Sequence, residues 1–137
     1  MIFRDELELR GTGETDAFDV TAEVAEVLGR SGVRDGQTLV FVPGSTAAVT
    51  TIEFEPGVVR DLKEAVERLA PRGARYAHDA AWGDGNGYAH VRSALLGPSL
   101  CVPVADGRLL LGTWQQIVVL DFDNRPRRRR VVVQIQG

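Results

Sequence analysis

His78 and His90 are the only two histidines of the chain, and both fall in the window Tyr76 to His90 with Asp79, Asp84, Asn86 and the glycines 83, 85 and 87. Imidazole is the side chain whose ordinary pKa lies near neutrality, so two within reach of each other could act as an acid and base pair. The same nitrogens could ligate a metal. Their spacing is not the His-Glu-x-x-His of a zinc helix, so a third ligand would have to come from Glu53, Asp79 or Asp84. A surface loop whose histidines bond to backbone is the plainer alternative. Asp79 is placed to orient His78 or to hold a cation through a substrate phosphate, and equally to cap a turn. Asn86 sits between glycines, where it can present its amide to a ligand or adopt left-handed geometry.

Four further constellations could serve such a site. Gly44-Ser45-Thr46 offers small residues, backbone amides and two hydroxyls, the ingredients of an anion nest or of a tight β-corner, without the lysine of a P-loop. Glu53 and Glu55 share one face of a strand-like stretch and could bind Mg²⁺ together or be solvated. Gly112, Thr113, Trp114 and Gln115 lie at a strand connection, as pocket lining or as a core tryptophan with edge hydrogen bonds. Arg125 and Arg127 to Arg130 alternate between faces; one face could hold phosphate, while the run also reads as a charged sheet edge or a subunit contact.

The elements that position these groups are legible from periodicity. Phe3, Leu7 and Leu9 alternate with charged residues as in a half-buried strand. Val20, Val24, Val27 and Leu28 recur at helical spacing, with Gly32 where a left-handed cap ends the helix. Thr38 to Val42 and Thr46 to Phe54 read as strands around Pro43-Gly44-Ser45. A helix opening at Pro56 with Val58, Leu62, Val66 and Leu69 on one face stops at Pro71. After the glycine-rich window, Tyr88 to Leu96 forms a short helix ended by Gly97-Pro98. Four strand-like runs from Cys101 to Ile135, with turns at Asp106-Gly107 and Asp123 to Pro126, predict an antiparallel meander.

With 137 residues, 44% of them hydrophobic, and a net charge of −3, the chain has the size and balance of one soluble domain, residues 1–137. That charge does not suit nucleic-acid binding. A lone cysteine, Cys101, excludes an internal disulfide, and no apolar run suits a signal peptide or membrane helix. Cytoplasmic residence is the expectation. Strands at both ends with two or three helices between them predict an α+β fold.

Several segments together resemble the YjbQ-like family, an uncharacterised family also described as secondary thiamin-phosphate synthase. They are Val42-Pro43 through Ala48, Asp61-Leu62, His78-Asp79, Asn86 through His90, Leu95 through Ser99, Val102-Pro103, Leu111 through Gln115 and the Arg-rich strand. The resemblance implies a curved, mostly antiparallel sheet or sandwich with packed helices, assembled as a homotrimer with pockets near subunit boundaries. It implies a weak thiamin-phosphate synthase activity, in which a thiazole phosphate displaces pyrophosphate from an activated hydroxymethylpyrimidine. His78, His90, Asp79 and Asn86 would then be catalytic, Ser45, Thr46, Gly112, Thr113 and Gln115 would hold the phosphorylated substrate, and Mg²⁺ or another divalent cation would accompany the pyrophosphate. His78, His90 and Glu53 remain the candidates for direct metal contact. Two positions depart from the family: Gly44 stands where a histidine is common, and Ile52-Glu53-Phe54-Glu55 replaces a polar Asn-Glu-Asn segment. A non-catalytic ligand- or metal-binding trimer that keeps the pocket is the alternative.

Overall fold

The alternation at the start of the chain becomes β1 (Ile2–Gly11), whose Phe3, Leu7 and Leu9 pack inward while Glu6 and Glu8 face out. This is the first of eight strands in a computed structural model that describes residues 1–137 in full. After it come β2 (Asp16–Asp19), α1 (Thr21–Ser31), β3 (Gly36–Phe41), β4 (Ala47–Ile52), α2 (Pro56–Leu69), α3 (Ala77–Trp82) and α4 (Gly87–Leu96). The rest is β5 (Ser99–Ala105), β6 (Arg108–Leu109), β7 (Gln116–Asp121) and β8 (Arg127–Gln136).

The strands form two sheets, one ordered β1-β8-β3-β5-β6 and the other β2-β7-β4, and every pairing is antiparallel. Between the sheets lies one core, with Val131, Val133 and Ile135 of β8 facing Val49, Ile117 and Val119, and with Val24, Val27 and Leu28 of α1 joining them. Each of these side chains contributes about 1.5–3 kcal/mol by leaving water. A second core covers the outer face of the smaller sheet, where Ala48, Val118, Leu120 and Phe122 meet Val66 of α2 and Tyr88 and Ala89 of α4. β7 is therefore buried on both faces, which is why Ile117 to Phe122 reads as a nearly unbroken apolar run rather than an alternation.

The helix ends follow their local chemistry. α1 stops at Gly32, at φ +73°, where the backbone turns left-handed as glycine does most readily. α2 opens with Pro56 at its first position, and the Glu55 carboxylate accepts the Gly57 and Val58 N–H groups at 2.8 Å each. Those bonds, the Gly57 N–H foremost, hold Glu55 below the ordinary carboxylate range. No helix is long and apolar enough to cross a membrane.

Two expectations need correction. There are four helices, not two or three, because Ala77–Trp82 coils within the window that reads as a loop; at six residues it is too short to show an apolar period. The last strands are not a meander: the hairpin β5-β6 belongs to one sheet, β7 crosses to the other, and β8 returns between β1 and β3. The arginine stretch of β8 has a strand partner only in β1, because β3 pairs with β8 from Val132 onward. Arg128 and Arg130 pair outward with Glu8 and Glu6 of β1, and Arg127 and Arg129 turn to the other face.

Gly11 ends β1 against Asp121: a Cβ there would stand 2.1 Å from Asp121 Oδ2. Gly11→Ala must push that buried carboxylate away from its partners, and overpacking of this kind costs about 1–3 kcal/mol. The expected result is a lower urea midpoint with an unchanged slope; a midpoint equal to wild type would show that the contact is slack.

Candidate functional site

One end of the sandwich is held by a buried charge network. Arg129 of β8 donates through Nε and Nη2 to both oxygens of Asp121, at 3.0 and 2.8 Å, and through Nη2 to Thr46 Oγ1 at 2.6 Å. Thr46 in turn donates to Asp123 Oδ2 at 3.2 Å, which also receives Arg127 Nε at 2.6 Å. The other Asp123 oxygen takes the Asn124 N–H at 2.8 Å and the Asn86 amide at 3.3 Å. Burial by itself would raise the Asp123 carboxyl, but the bonds from Arg127, Asn124 and Asn86 together hold it below its ordinary 3.8. Asp121 and Asp123 are 1% and 0% exposed.

Above this network the two short helices bring the histidines together. α3 ends at Gly83, left-handed at φ +71°, and the link to α4 is pinned where Asn124 Nδ2 donates to the Asp84 carbonyl at 2.9 Å. Gly87 must be glycine for a steric reason: a Cβ there would stand 2.6 Å from the Tyr76 Cβ. α4 is fixed to the sheet by Ser93, which donates to the Ala47 carbonyl at 2.5 Å, and to α2 by Arg92, which bonds Glu67 and the Ala70 carbonyl and lies 4.9 Å over the Tyr88 ring. His78 in the first turn of α3 and His90 in the first turn of α4 then meet with ring centroids 4.3 Å apart.

The cleft they share holds about 410 Å³ and is lined by Gly44, Ser45, Thr46, His78, Trp82, Asp84, Asn86, His90, Arg127 and Arg129. Trp82 is its one apolar side chain, so the space suits a charged, hydrogen-bonding ligand rather than an oily one. Burial, and then the neighbouring imidazole of His78, push His90 below its ordinary 6.5; Asp123, Asp84 and Asp79 oppose this and are outweighed. Neutral His90 thus has a lone pair to offer at pH 7.

The other sequence candidates separate by location. Asp79 approaches His78 Nδ1 at 3.5 Å without a hydrogen bond, and its Oδ1 accepts the Gly87 N–H at 2.9 Å, so it ties the two helices. Thr46 is 5% exposed, with its hydroxyl committed to Arg129 and Asp123, whereas Ser45 is open to solvent. Glu55 is the cap of α2, and Glu53 is exposed just past β4, at the end away from Thr46. Gly112, Thr113 and Gln115 also lie at that far end: Gln115 accepts the Gly112 N–H at 2.9 Å and donates to Thr51 at 3.0 Å. Ala47 is paired with Asp121 and Ile52 with Gln116, so the two groups stand about 17 Å apart along one strand. Gln115 lines a second cleft of about 310 Å³ there. No three His, Cys, Asp or Glu side chains converge within the chain, so its donors do not form a cage for a resident cation.

Asp121, Asp123, Arg127 and Arg129 are the residues that sequence reasoning underweights. Their signal is a period of two: Asp121 and Asp123 bracket Phe122 where the doubly buried strand ends, and Arg127 and Arg129 share one face of β8.

Fold and cleft together define an α+β double-sheet protein with a polar pocket that carries paired imidazoles over buried arginine-carboxylate pairs. The family model for the UPF0047 protein YjbQ-like family matches residues 5–137, and the chain belongs to that family. It is 42% identical to a UPF0047 protein of Archaeoglobus fulgidus over 129 residues, 94% of this chain and 98% of that one. It is 33% identical to the UPF0047 protein YugU of Bacillus subtilis over 133 residues, 96% and 97% of the two chains. The crystal structure of a YbjQ-like protein of unknown function from Sulfolobus solfataricus matches with a TM-score of 0.95 at 28% identity, covering 100% of this chain and 98% of that one. An uncharacterised conserved protein of the same family from Clostridium acetobutylicum matches with a TM-score of 0.89 at 35% identity, covering 96% and 99%.

The depressed His90 gives a direct check. In a proton NMR titration its ring signals should move with a midpoint below 6.5, and His78→Ala should raise that midpoint. Because the unfolded chain takes up this proton near pH 6.5 and the folded chain only below that, the contribution of His90 to stability is intact above pH 6.5 and declines beneath it. A midpoint at or above 6.5 would contradict the geometry.

Proposed function

We propose that this chain is a transferase acting on a phosphorylated small molecule, with His78 and His90 as its proton-handling pair. The observation that carries the reading is their ring contact at 4.3 Å in a polar cleft beside Arg127 and Arg129. His90, kept neutral, takes a proton from the phosphate of the incoming ligand and returns it to the pyrophosphate oxygen as that leaves, with His78 packed beside it as the second member of the pair; Asn86 and Ser45 fix the ligand, and Asp79 and Thr46 hold the helices and Arg129 in place. The reaction we favour is the thiamin-phosphate synthase type. The thiazole nitrogen forms a bond to the pyrimidine methylene carbon as the bond from that carbon to the pyrophosphate oxygen breaks, and the departing charge falls toward the arginine side of the cleft. Mg²⁺ would in this reading arrive on the pyrophosphate oxygens, since the chain has no cage of its own.

The working form we propose is a homotrimer in which Thr113, Trp114 and Gln115 of one subunit complete the histidine cleft of the next. What supports this is the separation of the two groups along β4 and the exposure of Trp114 and Leu110, 71% and 57%, at the end that would dock. The second reading, a trimer that binds the ligand without turning it over, is favoured by the unpartnered Nδ1 of His78: no carboxylate orients this ring as catalytic histidines usually require.

Turnover of purified hydroxymethylpyrimidine pyrophosphate and thiazole phosphate decides between them. Folded His78→Ala and His90→Ala proteins should each lose roughly 100-fold or more in rate, the scale of general acid-base catalysis. Full activity in both variants would remove the histidines from the mechanism, and saturable binding with no turnover by wild type would establish the binder. Sedimentation should give three chains of 14.9 kDa per particle, and a monomer would leave the two clefts unconnected.

A further inference from the structure

We infer that Gly44 is a specificity-determining residue: by lacking a side chain it leaves Nη1 of the buried Arg129 open to the cleft, as the docking point for an oxyanion of the phosphate or pyrophosphate class. The inference rests on the same cleft as the function proposed above but not on its proton chemistry.

Three observations carry it. Arg129 cannot shift, because Nε and Nη2 hold both oxygens of Asp121 and Nη2 also holds Thr46. Its Nη1 has no protein partner, although the residue is only 8% exposed and lines the cleft. A buried guanidinium with one uncommitted nitrogen is an incomplete hydrogen-bond set, and an acceptor from outside completes it. A Cβ at position 44 would stand 3.0 Å from Nη1, closer than ordinary van der Waals contact, so a side chain there crowds the approach to that nitrogen. The glycine is not needed for its backbone, since Gly44 is not among the residues with positive φ.

The neighbours narrow the ligand. Arg127 lines the same cleft and is fixed to Asp123 through Nε alone, which leaves its outer nitrogens uncommitted as a second set of donors. Asn86 is 5% exposed, and its Oδ1 is unpaired. Its Nδ2 is turned to the Asp123 carboxylate, because the opposite orientation would set two acceptors against each other. The fitting ligand therefore brings anionic oxygen to Arg129 and Arg127 and an O–H or N–H donor to Asn86, as a hydrogen phosphate does. Asp121 and Asp123 already balance the two arginines, so recognition comes from directed hydrogen bonds more than from net charge.

Calorimetric titration of the full-length chain with inorganic pyrophosphate, in the presence of a chelator, tests this. Wild type should bind saturably, Gly44→Ala should weaken binding at least tenfold, and Gly29→Ala, whose Cβ meets nothing within 4 Å, should leave it unchanged. In wild type alone, the ¹⁵N guanidinium signals of Arg129 should shift as pyrophosphate saturates. Wild-type affinity in Gly44→Ala, no binding to wild type, or binding that leaves the Arg129 signals still would overturn the inference. His78→Ala and His90→Ala separate it from the transferase reading: turnover that survives in them removes the proton pair and leaves the oxyanion site standing. Conversely, loss of turnover in them together with unchanged affinity in Gly44→Ala keeps the proton pair and removes the oxyanion site.

Discussion

Taking a guanidinium and a carboxylate out of water costs several kcal/mol per ion, and a buried pair recovers this only where geometry is good and the remaining donors and acceptors are satisfied. Arg129 and Asp121 meet the geometric condition through two parallel bonds, with Thr46 and Asp123 extending the set, and leave Nη1 of Arg129 as the one nitrogen without a protein partner. These residues come from β8, from the end of β7 and from the corner before β4, so the pair fastens one sheet to the other at a single end of the sandwich. The corner at Gly44 to Thr46, the approach of Gly11 and the anchoring of Asn86 all follow from it. Removing either partner would leave the other charged and buried, a larger penalty than the pair is worth when intact.

The helices then add what the sheets cannot. Strands deliver side chains in rows at two-residue spacing, which suits the arginines and aspartates at the base of the cleft. Two imidazoles in ring contact need a finer adjustment, and the short turn between α3 and α4 supplies it. Gly83 reverses the chain, Gly87 lets Tyr76 come close, and Asp79 and Asn124 secure the join from both sides. Arg92 transmits the position of α2 to His90, and Ser93 that of the sheet, because they sit two and three residues after it on the same helix.

Much of this was readable from residue order, and the failures have physical causes. The periods of α1 and α2 and the glycine cap at Gly32 are local properties, and local properties are what a linear pattern records. The family resemblance likewise followed from short motifs in order, and the family model matches across residues 5–137. The path of the last strands was not local: whether β7 joins β6 or crosses to the other sheet is decided by what packs on its two faces. Exposed and buried arginines have the same letter, and only the fold distinguishes Arg128, paired outward with Glu8, from Arg129, buried against Asp121. Chemistry groups Gln115 with His90, yet a six-residue strand keeps them at opposite ends of the chain's fold.

The ladder between β1 and β8 also governs how the molecule can form. It runs ten rungs, from Ile2 opposite Gln136 to Gly11 opposite Arg127, and it joins segments more than a hundred residues apart. Such a contact carries a large loop-closure entropy and must wait until nearly all of the intervening chain has been made. Until β8 inserts, β1 and β3 expose unpaired backbone and the valine-rich face of the sheet has no partner. Insertion of β8 also brings Arg129 to Asp121, so the vulnerable interval for aggregation and the assembly of the cleft end in the same event.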